Sequence, residues 1–142
     1  MSSVSRPLSP HLSIYKPQIT SVLSILHRIT GFVLYVGLLY LSWVIIFSTF
    51  NDVVLAQVFL NLTVTIFSSF FGKLILFGWI FCLNYHTVNG IRHLVWDAGS
   101  GFSKEAVTTS GIVALIAAVV FTGLTWYFIY NILFSYVQFK SI

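Results

Sequence analysis

The charges of this 142-residue chain are spaced so widely that they dictate its surroundings. Arg28 and Asp52 are separated by 23 uncharged residues, Asp52 and Lys73 by 20, Lys73 and Arg92 by 18, and Glu105 and Lys140 by 34. A helix crosses the hydrocarbon core of a bilayer in about 20 residues, so each interval is near or above spanning length. Only 7% of the residues are charged and 58% are apolar. Soluble domains are about a quarter charged, so polar surface here is too scarce to cover a water-soluble body. The spacing predicts an all-α integral membrane protein.

The length leaves room for three full spans and no separate soluble domain of ordinary size. Cys82 is the single cysteine, which excludes an internal disulfide and every multi-cysteine zinc or iron–sulfur site. Seven Lys and Arg against three Asp and Glu are too few to make a nucleic-acid surface, but they orient the chain. Residues 1–20 contain Pro7, Pro10 and Pro17 together with Arg6, His11 and Lys16. Proline at that density prevents helix and favours an extended arm. Leu12 and Ile14 alternate beside Tyr15, as in an arm laid on a partner. The arm has no apolar signal core and is not Arg-rich like a transit peptide, so the chain is expected to start in mature form.

Residues 21–142 are expected to form the membrane domain, with helices over about 22–47, 68–95 and 108–134. Asn51 and Asp52 predict a turn. Residues 53–69 are apolar but carry Gln57, Asn61, Thr63 and Thr65, and read as an interfacial helix or loop. Lys73 snorkels from the outer end of the second span. Trp96, Asp97, Gly99 and Gly101 end that span, and Trp126, Tyr127, Tyr130 and Tyr136 form an aromatic belt on the third. A further complete span over 53–72 would need a reversal at Gly72 and Lys73 with almost no loop. It would also set Arg92 and Lys104 opposite Arg6, Lys16 and Arg28. Three spans gather those five cations on one side, which the positive-inside rule places in the cytoplasm or mitochondrial matrix.

The acids Asp52, Asp97 and Glu105 lie near loops and form no acid–base pair. The chain has no G-x-x-x-x-G-K-[ST] phosphate loop and no G-x-S-x-G elbow, so an independent kinase or hydrolase is not expected. The inner half of the second helix is different: it carries His86, Asn89, Gly90, Arg92, His93, Trp96 and Asp97. His86, Gly90 and His93 fall within about 60° on one face. Ionisable residues inside a span are rare and costly, which singles out His86. At 1.5 Å per residue it lies about 16 Å deeper than Asp97, and His93 only about 6 Å deeper. Gly90 removes a side chain where a flat cofactor would meet the helix.

A haem suits this pattern, with imidazole on the iron at depth and propionates near cationic groups at the surface. His93, His27 and Arg28 lie near that level. The same spacing also suits a His86 that only hydrogen-bonds a neighbouring helix. By this reckoning no second histidine reaches the depth of His86, so a six-coordinate haem needs a partner chain. Ser24 and Arg28 are four residues apart and share a face. A hydroxyl and a guanidinium there suit a quinone carbonyl on which negative charge develops. They equally suit a helix cap and an arginine that snorkels to lipid phosphate. Asp97 either ends its helix or pairs with Arg92, while His11 and Cys82 need no role beyond solvation and packing.

Two stretches carry a resemblance to a known family. Arg6–Gly31 reads RPLSPHLSIYKPQITSVLSILHRITG, with R-P followed by S-x-x-H-R-x-[ST]. His86–Gly99 reads HTVNGIRHLVWDAG, with H-x-x-x-G-x-R-H-x-x-x-D. In both, the chain resembles the cytochrome b subunit of succinate dehydrogenase, the larger membrane anchor of respiratory complex II. The resemblance implies that His86 is an axial ligand of haem b and that the smaller anchor subunit supplies the other axial histidine. It implies that Ser24 and Arg28 line the ubiquinone site, that His27 and His93 lie near the propionates, and that the arm contacts the iron–sulfur subunit. The chain would not be catalytic alone. A flavoprotein subunit would oxidise succinate, iron–sulfur clusters would relay the electrons, and this subunit would help hold the quinone that receives them.

Three other readings make different predictions. A haem-free structural anchor predicts normal assembly with no haem spectrum. A small transporter or channel subunit with His86 as proton relay predicts flux without a redox partner. The equivalent subunit of a quinol:fumarate reductase differs through its quinone and partner subunits. The expected location is a bacterial plasma membrane, or the mitochondrial inner membrane if the gene is organelle-encoded.

Overall fold

The computed structural model describes residues 16–49 and 53–140, with side chains over 16–49 and 54–132. Most of the expected arm, the Asn51–Asp52 turn and the Tyr136 side chain lie outside these residues. Four helices follow in order: α1 (Ile19–Thr49), α2 (Val53–Ser68), α3 (Phe70–Asp97) and α4 (Lys104–Lys140). Three are long and apolar enough to cross a bilayer, over Ile19–Thr49, Phe70–Asp97 and Lys104–Ile132. The all-α, three-span expectation therefore holds.

Helix boundaries differ from the apolar boundaries for a physical reason. α1 begins at Ile19 and α4 at Lys104, each about one turn ahead of the apolar run. Backbone groups entering a bilayer must already be hydrogen-bonded, so the helices start before the hydrocarbon does. Local chemistry sets where. The Ser103 hydroxyl accepts from the Ala106 amide at 3.2 Å, and Glu105 adds an anion to the positive end of α4.

Within the ambiguous stretch over 53–69, Val53–Ser68 is a helix, and at 16 residues it is about 24 Å long, short of a full span. α2 packs on the C-terminal half of α1. The Tyr40 and Thr63 hydroxyls hydrogen-bond at 2.8 Å, and the Phe47 and Phe59 rings lie 4.6 Å apart. α3 then starts after Ser69 alone. Ser69 is extended (φ −66°, ψ 160°) and caps α3 by accepting from the Gly72 amide, while its hydroxyl donates to the Ile66 carbonyl at 2.6 Å. Gly72 lies so close to that carbonyl that a Cβ would collide with it. The nearly loopless junction is therefore built, by a serine cap and a missing side chain.

α3 runs antiparallel to α1: Trp79 lies on Gly37, His86 on Gly31 and Gly90 beside His27. α4 covers another face of α3 with its buried small residues Ala114, Ala118 and Thr122, which allow close helix approach. Tyr85 is buried at this junction and donates to the Leu23 carbonyl of α1 at 2.8 Å. Arg92 is 7% exposed and its guanidinium is aimed at α4. Nε donates to Ser110 Oγ at 3.0 Å, and a terminal nitrogen donates to the Val107 carbonyl at 2.9 Å. The guanidinium also sits 4.1 Å from the Trp96 ring centroid. Of the two expectations for Asp97, the ion pair with Arg92 is not formed. Asp97 is the last residue of α3, and the chain turns through Gly99 and Gly101, whose φ values of +78° and +81° favour glycine.

The start of α1, the end of α3 and the start of α4 thus share one end of the bundle. Gln18→Cys and Ser100→Cys, introduced separately with Cys82→Ala, are expected to react with an impermeant maleimide from the same side of sealed vesicles. Labelling from opposite sides would refute the three-span bundle.

Candidate cofactor site

His86 projects from α3 towards α1, where its Nδ1 meets two oxygens. The His27 carbonyl lies 3.1 Å away and the Thr30 hydroxyl 3.3 Å away. The Thr30 hydroxyl itself donates to the His27 carbonyl at 2.9 Å. A carbonyl oxygen only accepts, so the proton of neutral His86 is on Nδ1. The other ring nitrogen, Nε2, is then a bare lone pair, and it has no hydrogen-bond partner among the described residues. Ligating histidines are commonly held in this way, with one nitrogen on a carbonyl and the other on the metal.

A second histidine covers one face of this ring. The His27 and His86 imidazoles stack with centroids 3.9 Å apart and planes within 8°. His93 tilts onto the other end of the group, 5.2 Å from His27 and edge-on to Trp96 at 5.1 Å. His27 thus reaches the level of His86, contrary to the depth expected from the apolar boundary. The earlier start of α1 accounts for this, since His27 lies eight residues, or about 12 Å, into that helix. Its Nδ1 is buried without a hydrogen-bond partner among the described residues.

Glycine makes the close packing possible. A Cβ on Gly31 would lie 3.0 Å from His86 Cε1, tighter than a fixed ring tolerates. Gly90 faces His27, whose Cε1 lies 3.8 Å from where a Cβ would be, an ordinary contact distance.

These residues fit a haem iron through His86. Stacking occupies ring faces, whereas ligation uses the in-plane lone pair of Nε2. His27 is not arranged as the opposite axial ligand, because parallel stacked rings do not aim their lone pairs at one iron from two sides. Ser24 is half-buried and Arg28 exposed, and no hydrogen bond joins them among the described residues. Ser24 precedes Gly31 by seven residues, so it shares the histidine-facing side of α1 within about 20°, two turns nearer the α3 C-terminal end. Residue-type reasoning gave no role to Thr30. Its only signal was the [ST] three residues after His27. Nor did it anticipate Asn89, which is wholly buried and accepts from Arg92 at 3.4 Å.

Comparison with known proteins agrees with the motifs. Residues 2–125 match the model of the family described as succinate dehydrogenase/fumarate reductase transmembrane subunit. The succinate dehydrogenase cytochrome b556 subunit of Rickettsia bellii (strain RML369-C) is 46% identical over 123 residues, covering 85% of this chain and 90% of that protein. The cytochrome b560 subunit of Reclinomonas americana is 40% identical over 126 residues, covering 87% and 86%. The mitochondrial b560 subunit of Mus musculus is 39% identical over 124 residues, covering 86% and 70%. The chain therefore belongs to the succinate dehydrogenase/fumarate reductase transmembrane subunit family.

Proposed function

We propose that this chain is the haem- and quinone-binding membrane anchor of a succinate:ubiquinone oxidoreductase. The observation that carries the reading is the committed tautomer of His86, with Nδ1 held by α1 and Nε2 left bare. His86 would hold the iron of haem b through Nε2, and a histidine of the smaller anchor subunit would be its second protein ligand. When bound, the haem provides one-electron storage beside the quinone. His27 and His93 lie near the haem propionates.

Ser24 and Arg28 hold ubiquinone at the same end of the bundle. The guanidinium stabilises negative charge as the carbonyl oxygen is reduced, and the Ser24 hydroxyl donates to a carbonyl. The electrons come from succinate, through a flavoprotein and an iron–sulfur subunit seated on the arm. That end of the bundle faces the matrix or the cytoplasm. The exposed apolar faces of the spans are covered by lipid and by the smaller anchor subunit. The chain itself carries no succinate chemistry.

Purification through a tag on this chain in mild detergent tests the reading. A flavoprotein, an iron–sulfur protein and one further small membrane protein are expected to co-elute, with a b-type haem spectrum. Co-elution of the soluble subunits without haem would favour the structural-anchor reading. Elution alone, with proton flux in vesicles, would favour the transporter.

A further inference from the structure

We propose that Thr30 and the His27 main-chain carbonyl act together as a positioning device for His86, a role that rests on the haem reading above. Thr30 is 5% exposed and lies one turn into the bundle from the histidine stack. Its hydroxyl hydrogen is committed to the His27 carbonyl at 2.9 Å. The hydroxyl oxygen therefore turns a lone pair towards His86 Nδ1 at 3.3 Å, beside the carbonyl at 3.1 Å. One N–H is shared between two acceptors on α1. Flipping the ring would bring Cδ2 against both oxygens and lose the shared bond, so the pair selects one ring orientation as well as one tautomer.

Two consequences follow for a group on Nε2. Donation from Nδ1–H makes the imidazole a stronger electron donor to a metal, which favours its oxidised state. The plane of the ring is held relative to α1 by the shared Nδ1 bond and by the parallel stack on His27. Thr30 thus acts through His86 and touches no substrate.

The test uses the intact purified complex and reads the haem, not turnover. Thr30→Val keeps the shape and removes the hydroxyl. It is expected to shift both the ferric low-spin g values and the haem midpoint potential, and Thr30→Ser is expected to restore both. A Thr30→Val complex with g values and potential unchanged would overturn the proposal. Absence of haem from the unmodified complex would instead overturn the cofactor reading beneath it.

A second arm covers the case in which Thr30→Val loses its haem. His86→Gly opens a cavity for an added ligand, and imidazole carries the N–H that 1-methylimidazole lacks. Imidazole is expected to restore the low-spin spectrum at about fivefold lower concentration, the equivalent of one hydrogen bond. Equal half-saturating concentrations would overturn the proposal.

Discussion

His86→Ala is expected to abolish the low-spin haem spectrum of the complex. Two imidazole ligands hold iron low-spin, and removal of one leaves either no haem or a five-coordinate haem that binds carbon monoxide. The helices should survive the change. The protein loses the hydrogen bonds at His86 Nδ1, each worth about 0.5–1.5 kcal/mol net, and the stack on His27. The His27 carbonyl keeps its bond from Thr30, so no buried acceptor is orphaned. The variant subunit should therefore still co-purify with its partners, and its reduced-minus-oxidised spectrum reports the ligand directly. A normal spectrum in His86→Ala, with the haem lost in His27→Ala or His93→Ala, would move the axial role to another member of the stack.

Arg28→Leu is expected to reduce ubiquinone-linked succinate oxidation by about ten- to a hundredfold, and Ser24→Ala by about two- to tenfold. The difference follows from hydrogen-bond strength: a bond to a charged group is worth about 1.5–3 kcal/mol and a neutral one about 0.5–1.5, with about 1.4 kcal/mol per tenfold in rate. Arg28 is exposed and has no ion pair among the described residues, so its loss should cost folding no more than an ordinary surface substitution, about 0.5 kcal/mol. The control is an artificial dye that accepts electrons upstream of the quinone. Dye reduction should be largely spared in both variants. A parallel fall of both activities would mean that these residues support assembly, as a cap and a snorkelling arginine would.

His86 was legible because an ionisable side chain deep in an apolar run needs a reason to be there. Its hydrogen-bonding partner was not, because a main-chain carbonyl leaves no trace in residue type. The level of His27 was misjudged because hydropathy marks where hydrocarbon begins, whereas the backbone of α1 is already helical at Ile19. Arg92 illustrates a different limit. One dimension offers Asp97 as a nearby anion, but Arg92 lies seven residues, or about two turns, after Tyr85 on the side that α4 covers, and Ser110 and Val107 meet it there.

Sequence alone therefore determined the class of the protein, its three spans and the residue types that distinguish the site. Hydrocarbon offers no hydrogen bonds, so charge spacing and apolar length leave few alternatives for a chain of this kind. Tertiary structure alone decided that α2 folds back at Ser69, that Gly31 seats His86, and that α1 commits the tautomer of His86. Those outcomes depend on which helix faces meet and how closely. Hydropathy is shared by every lipid-facing and protein-facing position of a span, so it cannot distinguish one face from another; contact distances of about 3 Å can.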